Sequence, residues 1–371
     1  MRKPSKWNLS GRRLAATALL AISTAPAALG AAPTASASAP ASGFDADRLA
    51  GLAPRSIGPA GMSGRVAAIA AVESNPDIVF AGAATGGVWK SVDGGISWKP
   101  IFDDQPVAAI GAIAIDGRNP EIVWVGTGEG NVRNSASVGN GIYRSADGGV
   151  TWAHLGLEGT ERIHRIVLHP DNSDVAWVAA LGREWGENSE RGIFKTVDGG
   201  RSWKKVLYVD EKTGGADIAM VEGSPNRLFA SMWQFRRWPD YFKSGGPGSG
   251  LYSSLDGGES WKRLEVEDGL PEGELGRIGI GLSRSHPEVV YAMVEAKKSA
   301  LLRSDDGGRS FRTMNSEPNV NPRPFYFGEL RVDPQDPNKV FSVDYTVRVS
   351  TDAGKSFATL IRWDEIHGDH H

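Results

Sequence analysis

The chain alternates short apolar runs with turn-forming clusters at a regular interval. The runs are IVFAGAA from Ile78, IVWVGTG from Ile122, VAWVAAL from Val175, RLFASMW from Arg227, VVYAMVE from Val289 and KVFSVDY from Lys339. Their length and their β-branched and aromatic content predict buried strands. A turn precedes each: SNPD, RNPE, DNSD, SPNR, SHPE and DPNK, where Pro, Asn and Asp preset the geometry. Ahead of the turn comes another apolar or alternating stretch, such as RVAAIAAV from Arg65, AIGAIAID from Ala109 or RIGIGLS from Arg277.

A second signature follows each buried run. It reads SVDGGISW from Ser91, SADGGVTW from Ser145, TVDGGRSW from Thr196, SLDGGESW from Ser254, SDDGGRSF from Ser304 and STDAGKSF from Ser350. The aspartates are Asp93, Asp147, Asp198, Asp256, Asp306 and Asp352. They recur about every fifty residues, the length of one four-stranded propeller blade. Each unit therefore reads strand, turn, strand, loop, strand, aspartate turn, strand. Such a sheet cannot bury both faces alone, so several must stack around an axis. The expected fold is all-β, a β-propeller of four-stranded antiparallel blades. Six blades are visible, at 62–104, 107–158, 161–210, 215–266, 274–314 and 324–361. Residues from Arg362 onward read as the opening of a seventh, truncated at the C-terminus, so closure by six or by seven stays open.

The six aspartates read as scaffolding. An Asp side chain can accept amide hydrogen bonds from its own turn, the paired glycines permit positive φ, and the terminal aromatic anchors the hairpin. Six near-identical copies do not suit an active site, and consecutive glycines with one or two carboxylates make a poor calcium cage. No cofactor and no metal site is assigned. The tail residues Asp364, Glu365, His367, Asp369, His370 and His371 have the composition of metal ligands. They read equally as an inner strand.

At these turns the chain resembles the Asp-box, or bacterial neuraminidase repeat, propellers. It is more closely similar to the sortilin-type N-terminal propellers of large secreted bacterial proteins loosely labelled glycosyl hydrolases. The strings that carry this are RSIGPAGMSGRV from Arg55, ATGGVWKSVDGG from Ala84, VWVGTGE from Val123, RGIFKTVDGG from Arg191, GGPGSGLY from Gly245, NPRPFYF from Asn321 and IHGDHH from Ile366. The resemblance implies a WD40/YVTN/BNR-like repeat fold. Proteins of that type are longer, which implies a further propeller segment missing from this chain.

The first 32 residues have a basic start, with Lys3, Lys6, Arg12 and Arg13, then an apolar stretch and small residues at Gly30, Ala31 and Ala32. That is the layout of a signal peptide, with 33–50 a flexible linker and 51–371 the propeller. No later run is long enough to span a bilayer. The mature protein is expected to be secreted or periplasmic. With no Cys, disulfides and thiolate chemistry are excluded. A net charge of −3 gives no general attraction to nucleic acid.

Function is expected in the irregular connections. Three consecutive B–C connections are long: Glu129–Asn140, Gly182–Arg191 and Trp233–Gly250. They should share one face, opposite the aspartate turns. Candidate ligand contacts are Trp233, Phe235, Arg236, Arg237, Trp238, Tyr241, Trp185 and Glu129, since flat rings beside hydrogen-bonding groups suit a glycan or an extended peptide. The same aromatics could instead pack under the loops. Arg65, Arg165, Asp217, Arg277, Glu329 and Arg331 fall on candidate inner strands facing the channel. A hydrolase needs two carboxylates flanking the bond, and among Glu129, Glu184, Glu187, Asp240 and Glu329 no spacing selects a pair. The reading is an exported binding module with no assignable catalytic residue. The alternative is a glycoside hydrolase, or a fragment of one, acting on extracellular polysaccharide.

Overall fold

The computed structural model describes residues 64–362, 364–366, 368 and 370. The signal and linker segments expected at 1–32 and 33–50 lie outside the described residues, as do His367, Asp369 and His371. Six four-stranded antiparallel blades form a ring. Blade 1 is β1 (Val66–Val72), β2 (Asn75–Ala83), β3 (Val88–Ser91) and β4 (Lys99–Pro100). Blade 2 is β5 (Ile110–Ile115), β6 (Val123–Thr127), β7 (Ile142–Ser145) and β8 (Ala153–His154). Blade 3 is β9 (Ile163–His169), β10 (Asn172–Ala180), β11 (Gly192–Thr196) and β12 (Lys204–Leu207). Blade 4 is β13 (Thr213–Met220), β14 (Leu228–Arg237), β16 (Gly250–Ser254) and β17 (Lys262–Arg263), with β15 (Phe242–Ser244) paired to the end of β14. Blade 5 is β18 (Ile278–Leu282), β19 (Val290–Val294), β20 (Ala300–Ser304) and β21 (Arg312–Asn315). Blade 6 is β22 (Leu330–Val332), β23 (Val340–Val343), β24 (Val347–Ser350) and β25 (Ala358–Ile361).

Burial follows position within the blade. Every residue of β6 and of β19 is buried, because a second strand has a neighbouring blade on each face. The outer strand β4 is wholly exposed. Close approach of blades also dictates sequence: at Gly111 on β5, a Cβ would collide with the carbonyls of Gly128 and Ile163.

The aspartate turns explain the repeat. In the first, Ser97 donates its amide to Asp93 Oδ1 (2.9 Å) and its hydroxyl to Oδ2 (2.6 Å). Ser91 donates its hydroxyl to Asp93 Oδ1 (2.8 Å) and accepts the Gly95 amide (2.8 Å). The same pattern holds around Asp147, Asp198, Asp256, Asp306 and Asp352. Each carboxylate is thus engaged inside its own hairpin. In the sixth turn Ala353 takes the place of a glycine and adopts the left-handed conformation at φ 66°.

Five seams between blades are filled by apolar side chains. Phe80, Phe102, Ile110 and Tyr143 pack between blades 1 and 2, and Trp124, Ile142, Ile163 and Val178 between 2 and 3. Trp177, Ile193, Leu228 and Met232 fill the next seam, then Phe229, Ile278, Val290 and Leu302, then Tyr291, Leu301, Leu330 and Val340. Indole N–H groups stitch the seams: Trp152 donates to the Ile101 carbonyl (2.8 Å), Trp203 to Leu155 (2.9 Å) and Trp177 to Gly257 (3.0 Å). Among the described residues, no such cluster joins blade 6 to blade 1. Ile69 on β1 is 72% exposed and Leu360 on β25 is 54% exposed. Beyond Arg362, the described residues form turns and bends, not an inner strand. Ile366, Gly368 and His370 reach the central cavity.

Candidate functional site

The three long connections lie on the face opposite the aspartate turns, but the third differs from the expected irregular loop. β14 continues to Arg237, past the body of its blade, and folds back as β15, with Phe235 opposite Ser244 and Arg237 opposite Phe242. The alternation Trp233, Gln234, Phe235, Arg236 is a strand pattern, and this is why the segment extends. Trp233 and Phe235 are buried, stacked with centroids 4.4 Å apart. The Trp233 indole donates to Ser244 Oγ (3.0 Å). With Val132, Leu181 and Ala216 they form an apolar cluster that ties the connections of blades 2, 3 and 4 together. They support the site from beneath.

The Gly182–Arg191 connection is held by its own last residue. Arg191 is fully buried and donates to the carbonyls of Gly186 (2.8 Å) and Lys212 (3.1 Å). Glu184, also fully buried, accepts from Arg237 Nε (2.9 Å) and Arg162 Nη2 (3.3 Å). Burial pushes the Glu184 carboxyl up, against the pull of those two guanidiniums. Glu129 is buried as well and forms a two-point pair with Arg65 (2.8 and 2.6 Å).

Trp185 (47% exposed) and Tyr241 (52% exposed) remain open to solvent. Trp238, half-buried, stacks on Tyr241 at 4.5 Å with rings 4° apart, and the Arg236 guanidinium lies 4.6 Å from the Trp238 ring centre. Beside this stack is a groove of about 200 Å³ lined by Glu187, Lys212, Gln234, Arg236, Trp238 and Lys243. Asp240 is exposed at the neighbouring turn.

A larger cavity of about 840 Å³ occupies the channel, lined in part by Arg65, Arg133, His164, Arg165, Glu329 and Arg331. Here Arg165 pairs with Asp217 (2.9 Å), and Glu329 lies 3.5 Å from Arg165 and 2.5 Å from Arg331. Burial alone would raise Glu329; the charges of Arg331 and Arg165 hold it well below the usual carboxylate range. Arg277 donates to His164 Nε2 (2.9 Å) and to Asn131 (3.1 Å). Burial lowers the His164 pKa. Sequence reading missed His164 and Asn131, since neither stands in a motif. Among the described residues, no three His, Asp or Glu side chains are placed to hold a metal ion. No helix there is long and apolar enough to cross a membrane.

Residues 140–269 match the family described as "Sortilin, neurotensin receptor 3". A xyloglucanase from a Paenibacillus species is 24% identical over 218 residues, covering 52% of this chain and 20% of that protein. Among solved structures, the GH74 xyloglucanase from Xanthomonas campestris is similar with a TM-score of 0.51 at 17% identity, over 83% of this chain and 56% of that one. An ancestral GH74 enzyme gives a TM-score of 0.53 at 19% identity, over 77% of this chain and 35% of that one. These matches show the β-propeller fold, sortilin-like over residues 140–269. The chain spans little more than half the length of these relatives, or less.

Proposed function

We propose that this chain is an exported propeller that binds a glycan across the face opposite its aspartate turns, without hydrolysing it. Export rests on the signal-like residues 1–32, with 33–50 as the tether to a secreted or periplasmic domain. The observation that carries the binding reading is the stack of half-buried Trp238 on exposed Tyr241 beside a polar groove, with Trp185 exposed on the preceding blade's connection. Rings of this kind supply flat apolar area at low conformational cost, and the adjacent side chains supply directional contacts.

The state of the carboxylates supports binding over hydrolysis. A glycosidase needs an acid and a second carboxylate flanking the bond. Glu129, Glu184 and Glu329 are instead buried in arginine pairs, which leaves Glu187 and Asp240 as the exposed candidate carboxylates. The likeness to a xyloglucanase favours the second reading, a hydrolase fragment, in which this chain supplies one wall of a cleft.

The test is affinity electrophoresis against a panel of plant and bacterial polysaccharides, with reducing ends assayed in parallel. Binding without new reducing ends is the expected result. Trp238→Ala with Tyr241→Ala should weaken binding roughly three- to tenfold at unchanged melting temperature. Unchanged affinity in that variant would remove the aromatic face from the site, and released sugar would favour the hydrolase.

A further inference from the structure

We infer that the groove between blades 3 and 4 selects a carboxylate-bearing sugar, a uronic acid unit, over a neutral one. This rests on the glycan-binding reading above and adds the ligand class.

The charge lining the groove is unbalanced. Lys212, Arg236 and Lys243 face a single carboxylate, Glu187. Glu187 lies 3.7 Å from both Lys212 Nζ and Arg236 Nη1, a loose contact shared between two cations. Lys243 has no carboxylate within ion-pairing distance among the described residues. The groove lining therefore sets three cations against one carboxylate beside the Trp238 ring, with Asp240 exposed at the neighbouring turn.

A neutral glucan offers hydroxyls, which are weak partners for ammonium and guanidinium groups already solvated by water. A sugar carboxylate offers charge-assisted hydrogen bonds, the stronger class. The neighbouring stack gives the apolar face of the sugar ring a surface, so ring and charge are recognised together. Gln234, lining the same groove, accepts the Gly248 amide at its Oε1 (3.0 Å), which leaves its amide nitrogen available to donate.

The experiment is calorimetric titration of the whole chain with hexameric oligogalacturonate and with cellohexaose and xyloglucan oligosaccharides as neutral probes. The acidic probe should bind at least tenfold tighter. Its affinity should fall severalfold as NaCl rises from about 50 mM to about 500 mM, where screening becomes short-ranged. Lys243→Gln should cost roughly tenfold for the acidic probe and leave the melting temperature unchanged. Equal or tighter neutral binding overturns the charge assignment and leaves the glycan reading standing. Acidic binding that ignores both salt and Lys243→Gln overturns the groove as its location. If no sugar in the panel binds, the glycan reading itself fails.

Discussion

Arg237 on β14 donates its Nε–H to Glu184 in the preceding blade's connection at 2.9 Å, and this pair fixes the wall of the groove. Glu184 is fully buried, and Arg162 is its second partner. Truncating Arg237 to Ala strips a buried carboxylate of half its compensation. The expected cost is about 3 kcal/mol in urea unfolding. Glu184→Gln should cost less, because it leaves no buried anion, and the two changes together should be markedly non-additive.

The seams make a contrasting pair of tryptophans. Trp152 packs edge-to-face on Phe102, 5.2 Å between centroids, and bonds the Ile101 carbonyl of the blade before it. Among the described residues, Trp98 in blade 1 bonds the Gly95 carbonyl of its own turn alone and is 37% exposed. Trp152→Ala should therefore cost roughly 3–5 kcal/mol. Trp98→Ala should cost under about 1 kcal/mol. Chemical denaturation of the two variants side by side distinguishes them.

Acid should weaken the propeller over a defined interval. The Ser97 hydroxyl and amide, with the Ser91 hydroxyl, hold Asp93 down to about 2 from 3.8, and the matching groups do the same for Asp147, Asp198, Asp256 and Asp352. The folded value lies below the unfolded one. Ionisation therefore stabilises the fold above about pH 4, and that contribution is lost as the pH falls toward 2. Calorimetric melting temperatures should drop through this window. Asp256→Asn should start lower at neutral pH and follow a flatter acid profile, so that the gap to the parent narrows by pH 2.

Gly111 tests the closeness of the inner strands. Gly111→Ala drives a methyl group into two backbone carbonyls that cannot move aside, and should cost about 1–3 kcal/mol in thermal unfolding. Gly117→Ala meets nothing within 4 Å and should change stability by less than about 0.5 kcal/mol.

The blades were legible because they repeat: six aspartate turns and six preceding apolar runs give the strand order, and residues such as Trp124 and Trp177 sit where period-two burial on both faces places them. The inner-strand charges were legible too, and Arg65, Arg165, Glu329 and Arg331 do line the channel. The site was harder, because a loop aromatic can face either way. Trp233 and Phe235 turned inward, since β14 simply continues its alternation, whereas Trp185 and Tyr241, in the irregular stretches, stayed out. Pairing across the fold is invisible to spacing: nothing in a linear reading joins Arg237 to Glu184, or Arg277 to His164 over more than a hundred residues.

Among the described residues no apolar cluster joins the first and last blades, and this changes how the described propeller can come apart. A blade with two packed flanks must lose both to leave, whereas blades 1 and 6 each lose one. Cooperativity then resembles that of a linear stack more than a closed hoop, with fraying from both ends and the tightest protection in the middle. Amide exchange should accordingly be fastest in β1–β4 and β22–β25, and slowest in β9, β10, β13 and β14.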